Sequence, residues 1–183
     1  MSDNQSPSTE QQTMTVQQAI DLAVQHHNSG DLSKAESGYQ QILEAHPDQP
    51  QALHLLGVIA HQRGENEQAV TLIEKALSIK SDYAEAHSNL GLVLQELGKL
   101  EGAASSFREA VRINPNSAEA HSNLGITLHT LGRLKEAVAS HNTALKLNPN
   151  YPEAHNNLGI TQKELGQLDD CLLYTSPSPR DRG

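Results

Sequence analysis

Apolar side chains recur at helical spacing along most of this chain, as Leu90, Leu94 and Leu97 do, so each run presents one face that must be covered. The runs are short, and the residues that interrupt them fall in register. Leu-Gly recurs at Leu56-Gly57, Leu90-Gly91, Leu124-Gly125 and Leu158-Gly159, 34 residues apart each time. A second glycine series (Gly30, Gly64, Gly98, Gly132, Gly166) and an alanine series (Ala35, Ala69, Ala103, Ala137) keep the same period. A period of this length predicts a pair of antiparallel helices, A and B, that cannot bury its apolar face alone and stacks on its neighbours. The units fall at 16–49, 50–83, 84–117, 118–151 and an incomplete fifth at 152–170, whose helix A is expected over 153–165.

Within a unit, Gly98 and its equivalents follow helix A, where a left-handed residue lets the chain reverse. Gly91 on helix A and Ala103 on helix B are the small residues expected to let the two axes approach closely. The pairs Asp48/Gln51, Asp82/Glu85, Asn116/Glu119 and Asn150/Glu153 read as capping boxes at the helix A starts. Pro47, Pro115 and Pro149 stand where helix B must stop. The large residues of helix B are Tyr39, Ile73, Phe107 and His141.

The order of Leu-Gly, alanine twelve residues later, a large residue and then proline resembles the tetratricopeptide repeat, over residues 16–170. The resemblance implies an all-α, right-handed superhelix whose A helices line a concave face that holds a partner protein or an extended peptide. The chain departs from the family early in helix A, with Leu53, His87, His121 and His155 where an aromatic is common.

Candidate binding residues follow from the periodicity. Asn89, Asn123 and Asn157 each precede Leu-Gly and share one side of successive A helices. A carboxamide offers both donor and acceptor, so such a column can grip the backbone of an extended peptide whatever its side chains; equally, it can serve contacts between repeats. Around it, Ser88, Ser122, Asn156, Gln95, His129 and Lys163 are expected to face inward with Leu92, Ile126 and Ile160. With one lysine among them, a clamp for a buried carboxylate is disfavoured. Glu85, Glu119 and Glu153 read as first-turn acids that suit the helix dipole. The Asn-Leu-Gly column is similar to that of the repeat domain of protein O-linked N-acetylglucosamine transferases, although Asp21 and Leu55 break it in the first two units. That similarity keeps a second reading open: a substrate-recruiting arm of a longer enzyme, first a glycosyltransferase of that type and second a sulfotransferase fusion.

Composition narrows the rest. A net charge of -9 with 13 basic residues opposes a phosphate-tracking surface, so no nucleic acid partner is expected. No apolar run is long enough to span a membrane, and a cytoplasmic setting is expected. No catalytic residue, metal site or cofactor is predicted. His87, His121 and His155 recur once per unit, roughly 10 Å apart, too far to share a zinc ion bound at about 2.0–2.1 Å. Oligomeric state is left open.

Both ends depart from the repeat. Residues 1–15 form a Gln/Ser/Thr-rich leader that is expected to be disordered. From Cys171 the chain reads Cys-Leu-Leu-Tyr-Thr-Ser-Pro-Ser-Pro-Arg-Asp, which resembles the translation of a sequencing adapter. Residues 171–183 are therefore expected to be an artefact, the natural gene to continue further, and order to be poor beyond about 166.

Overall fold

The computed structural model describes residues 14–175, with side chains described through residue 167. Among the described residues there are nine helices and no strand: α1 (Val16–Asn28), α2 (Leu32–Ala45), α3 (Pro50–Gln62), α4 (Asn66–Ile79), α5 (Ala84–Glu96), α6 (Leu100–Ile113), α7 (Ala118–Thr130), α8 (Leu134–Leu147) and α9 (Pro152–Thr175). The odd-numbered helices start at Val16, Pro50, Ala84, Ala118 and Pro152, the step of the sequence period. Each helix packs on the helices before and after it. Odd-numbered helices also touch their counterparts, α3 with α5, α5 with α7 and α7 with α9, and no comparable contact joins even-numbered ones. The stack therefore bends as a superhelix with the odd helices on its inner side.

Two glycine columns answer to two different physical demands. Gly30, Gly64, Gly98 and Gly132 have φ of 80°, 78°, 70° and 72°. The residue after each donates its N–H to a carbonyl five residues back, as Lys99 does to Leu94 at 2.8 Å and Arg133 to Leu128 at 2.8 Å. A Cβ at these glycines would meet nothing within 4 Å, so the cost of substitution, about 1–2 kcal/mol, is conformational alone.

The Leu-Gly column is steric. A Cβ on Gly57 would lie 2.7 Å from Ile73, on Gly91 2.7 Å from Phe107 and on Gly125 2.5 Å from His141. The missing Cβ is thus a socket for the large residue of helix B. Ala103 was the expected counterpart of Gly91; it is buried in the core, but Phe107 is what the glycine admits.

Three expectations need correction. Asp48, Asp82 and Asn116 do not cap: the N-caps are Gln49, Tyr83 and Ser117, one residue later, with side-chain caps from Gln49 and Ser117. Asn114 and Asn148 instead accept N–H bonds from Asn116 and Asn150 inside the inter-unit turn, at 3.3 and 3.2 Å; short polar side chains in a turn reach backbone two residues on before any helix begins. A full capping box does form at Thr15 and Gln18, which makes the last residue of the assigned leader the cap of α1; residues 1–13 of that leader lie outside the described residues.

The third correction concerns α9. Helix A of the fifth unit does not stop at 165 but runs through Gly166 to Thr175. Each further residue of helix adds a backbone hydrogen bond, which outweighs the glycine's propensity cost of about 1 kcal/mol. Cys171–Thr175 of the adapter-like segment are accordingly helical backbone, and 176–183 lie outside the described residues. No helix of the described residues is long and apolar enough to cross a membrane.

Candidate functional site

On the inner side, α3, α5 and the start of α7 enclose a depression of about 290 Å³. Its lining includes His54, Leu55, Val58, Ser88, Asn89 and Leu92. His54 is buried, 2% exposed, and is the pivot of the site. Its Nδ1 lies 2.9 Å from Tyr83 Oη, and its Nε2 lies 2.8 Å from Asn89 Nδ2. A carboxamide nitrogen can only donate, so Nε2 accepts and the ring proton sits on Nδ1, where it is donated to Tyr83. Burial pushes the His54 pKa down to about 4, which keeps the ring neutral and in this tautomer at neutral pH. Tyr83 packs edge-on against the ring at 4.8 Å and carries Lys80 Nζ 4.9 Å above its own face. Its phenol is pushed up to about 12 by burial and then by the Glu85 carboxylate.

The asparagine column is therefore not uniform. Asn89 reaches the residue 35 positions earlier, His54, which is long enough to meet it. The corresponding residues for Asn123 and Asn157 are Ser88 and Ser122, and among the described residues no such bond forms. Asn157 instead lines a small cavity with Ile126, His129, His141, Ile160 and Thr161.

Other inward candidates divide. Ser88 lines the depression, whereas Ser122 is 1% exposed and lies in the seam between repeats, as His54 does from the same repeat position. Buried there, Ser122 offers no contact surface, which corrects its place among the groove residues. His129 is tied across the seam to Glu164 at 2.7 Å, and His27 bonds Gln62 at 3.0 Å in the same register. Gln95 is half-buried, and Asn156 and Lys163 are exposed on α9.

The column of His87, His121 and His155 has a different task. Each Nε2 donates to the carbonyl six residues back, of Ser81, Pro115 and Pro149, at 3.0, 3.1 and 2.9 Å. These rings latch the inter-unit turn. The aromatic site of the family is thus occupied by a hydrogen bond to backbone that its own turn would otherwise leave to water.

Sequence reasoning missed His54 and Tyr83. His54 was legible as the member of the Ser88/Ser122 column that stands 35 residues before Asn89, but Leu55 beside it had marked that unit as one where the pattern fails.

The chain matches the family described as TPR repeat over residues 59–98, 94–132 and 128–166. Among curated proteins none matches it. Solved structures do. It is similar to MamA, at 22% identity and a TM-score of 0.74 over 84% of this chain and 90% of that one. It is similar to YrrB, described as a TPR protein with an unusual peptide-binding site, at 24% identity and 0.73 over 83% and 78%. PilF of Pseudomonas aeruginosa follows at 23% identity and 0.76 over 83% and 69%. At such identities the likeness is one of fold. The repeat matches extend over more than half of the chain, on the same period that spaces the glycine turns and sockets, and the chain belongs to the tetratricopeptide-repeat family.

Proposed function

We propose that this chain is a protein-interaction module that holds an extended segment of a partner protein on the inner side of the superhelix, in the depression between α3, α5 and α7. The observation that carries this reading is the His54–Asn89 contact. A carboxamide fixed through its nitrogen by a neutral, buried ring keeps its Oδ1 at the wall of the depression, and among the described residues that oxygen accepts no hydrogen bond. An acceptor held still loses little conformational entropy on binding, and a backbone N–H of an extended peptide is its natural partner. Around it, Leu55, Val58 and Leu92 supply apolar contact and Ser88 a hydroxyl. Asn123 and Asn157 continue the column along the inner side, where a longer segment would meet them.

The test is capture of a random-sequence peptide library by the chain and by a variant with Asn89, Asn123 and Asn157 all changed to alanine. The variant is expected to keep its helical circular dichroism and to lose most of the captured peptide. Equal capture by both proteins refutes the grip. Asn89→Ala alone is expected to account for the larger part of the loss, because it is the member whose geometry is fixed.

A further inference from the structure

The side of the first unit that faces away from α3 carries an apolar groove between α1 and α2, about 460 Å³ in volume, lined by Val16, Ala19, Leu22, Ala23, Gly38 and Ile42 among others. The rest of the molecule shows what kind of element fits such a face. Leu22, Leu56, Leu90 and Leu124 share one repeat position. Leu56, Leu90 and Leu124 are 9%, 7% and 6% exposed, whereas Leu22 is 44% exposed. Every unit after the first is preceded by an even-numbered helix that packs on its odd helix. The α2 side chains in the core shared with Ala52, Leu56 and Ile59 of α3 and Leu72 of α4 are Leu32, Ala35, Tyr39, Ile42 and Leu43, a set at i, i+3 and i+4 spacing. Among the described residues the first unit has the receiving surface and no helix packed on it. Residues 1–13 contain no leucine, isoleucine, valine or aromatic residue with which to cover it.

Charge narrows the occupant further. The chain has 22 acidic against 13 basic residues, yet among the described residues the groove is lined by Lys34, His26 and His46 and by no carboxylate. Lys34 meets one acid, Asp31, at 2.7 Å across the rim, in an exposed pair that a competing carboxylate can replace. Exposed apolar surface rimmed by polar groups is a common mark of an interaction site.

We infer that the α1/α2 groove docks an amphipathic helix of a partner protein, with apolar residues at i, i+3 and i+4 and glutamates flanking them. The helix seats as α2 seats on α3, at an end of the stack distinct from the inner depression. Its carboxylates face Lys34 and the two histidines.

The probes are two synthetic helical peptides that carry the Tyr, Ile and Leu spacing of residues 39, 42 and 43, one with glutamate and one with lysine at all flanking positions. They are titrated into the full chain and followed by fluorescence anisotropy. Saturable binding of the glutamate peptide is expected, weakened about tenfold or more by Leu22→Asp and, separately, by Lys34→Glu. Leu22 is exposed, so Leu22→Asp is expected to preserve helical circular dichroism and to leave library capture on the inner side unchanged. Equal affinity for the two peptides, or glutamate-peptide binding that both variants leave intact, overturns the inference. It is overturned equally if sedimentation shows a dimer of the free chain that Leu22→Asp disperses, because the occupant would then be a second copy.

Discussion

The third and fourth units use the same socket for side chains of opposite character. Under Gly91 sits Phe107, fully buried in the core of α5 and α6; under Gly125 sits His141, equally buried, with neither ring nitrogen hydrogen-bonded. The first unit repeats the second case, since Tyr39 at the same position is buried with its hydroxyl unpartnered. These are the buried side-chain atoms among the described residues without a partner, and all stand at one repeat position. The comparison teaches that the socket selects for volume and is indifferent to chemistry. Contrast His54, whose two nitrogens are both engaged: one buried histidine connects repeats, the other only fills space.

The largest effect should come from emptying the apolar socket. Phe107→Ala is expected to cost about 3–5 kcal/mol in urea unfolding, because it leaves a cavity in the middle of the stack. His141→Ala should cost clearly less, since the same deletion also removes two unpartnered nitrogens. Equal losses would show that the two sockets are energetically alike.

Acid separates the histidines by their surroundings. His54 is pushed down to about 4 from 6.5 by burial, and His141 is lowered by burial and then by His129. In both cases the unfolded chain takes up the proton first as pH falls. The stability these neutral rings contribute is therefore complete above about pH 6.5 and is lost as pH falls below it; for His54 the loss runs toward its pKa of about 4 and amounts to about 3 kcal/mol. Melting temperatures measured between pH 7 and pH 4 should fall less steeply for His54→Gln than for the parent chain. An unchanged slope would remove His54 as the source.

Giving the polar sockets apolar occupants should have a smaller effect of opposite sign. His141→Phe and Tyr39→Phe are each expected to leave stability unchanged or to raise it by about 1–2 kcal/mol, since a buried donor or acceptor without a partner costs about that much. A loss in either would mean that the polar atom has a role the fold conceals.

The smallest test sets one turn against its failed counterpart. Gly132→Ala should destabilise by about 1 kcal/mol, because φ of 72° is strained for any residue with a Cβ. Gly166→Ala, in the body of α9, should raise helical content and stabilise by up to about 1 kcal/mol. If both substitutions destabilise, Gly166 forms a turn in solution.

Much of this was legible in the chain itself. A fixed period with glycine at a turn and glycine at a contact specifies a helix pair and its repetition, because both demands are local: one concerns φ at a single residue, the other a single Cβ. Partner choice across the seam was legible only once the 35-residue offset between touching side chains was known. Whether Asn89 meets a ring or a hydroxyl depends on what stands 35 residues earlier, and Ser122 could be placed in the seam only once the repeats were stacked. The cap positions were misread by one residue because turn and cap draw on the same short polar side chains.

The sequence by itself determined the helix pairs, their order and the four glycine turns, since each of these is settled by backbone sterics over a few neighbouring residues. Only the tertiary structure decided that Phe107 and His141 fill equivalent sockets, that Asn89 alone of its column is held by a ring, that among the described residues no helix covers the groove of α1 and α2, and that α9 passes straight through Gly166. Each of those outcomes depends on whether another helix arrives to pack against the residue, and a short-range pattern carries no record of that.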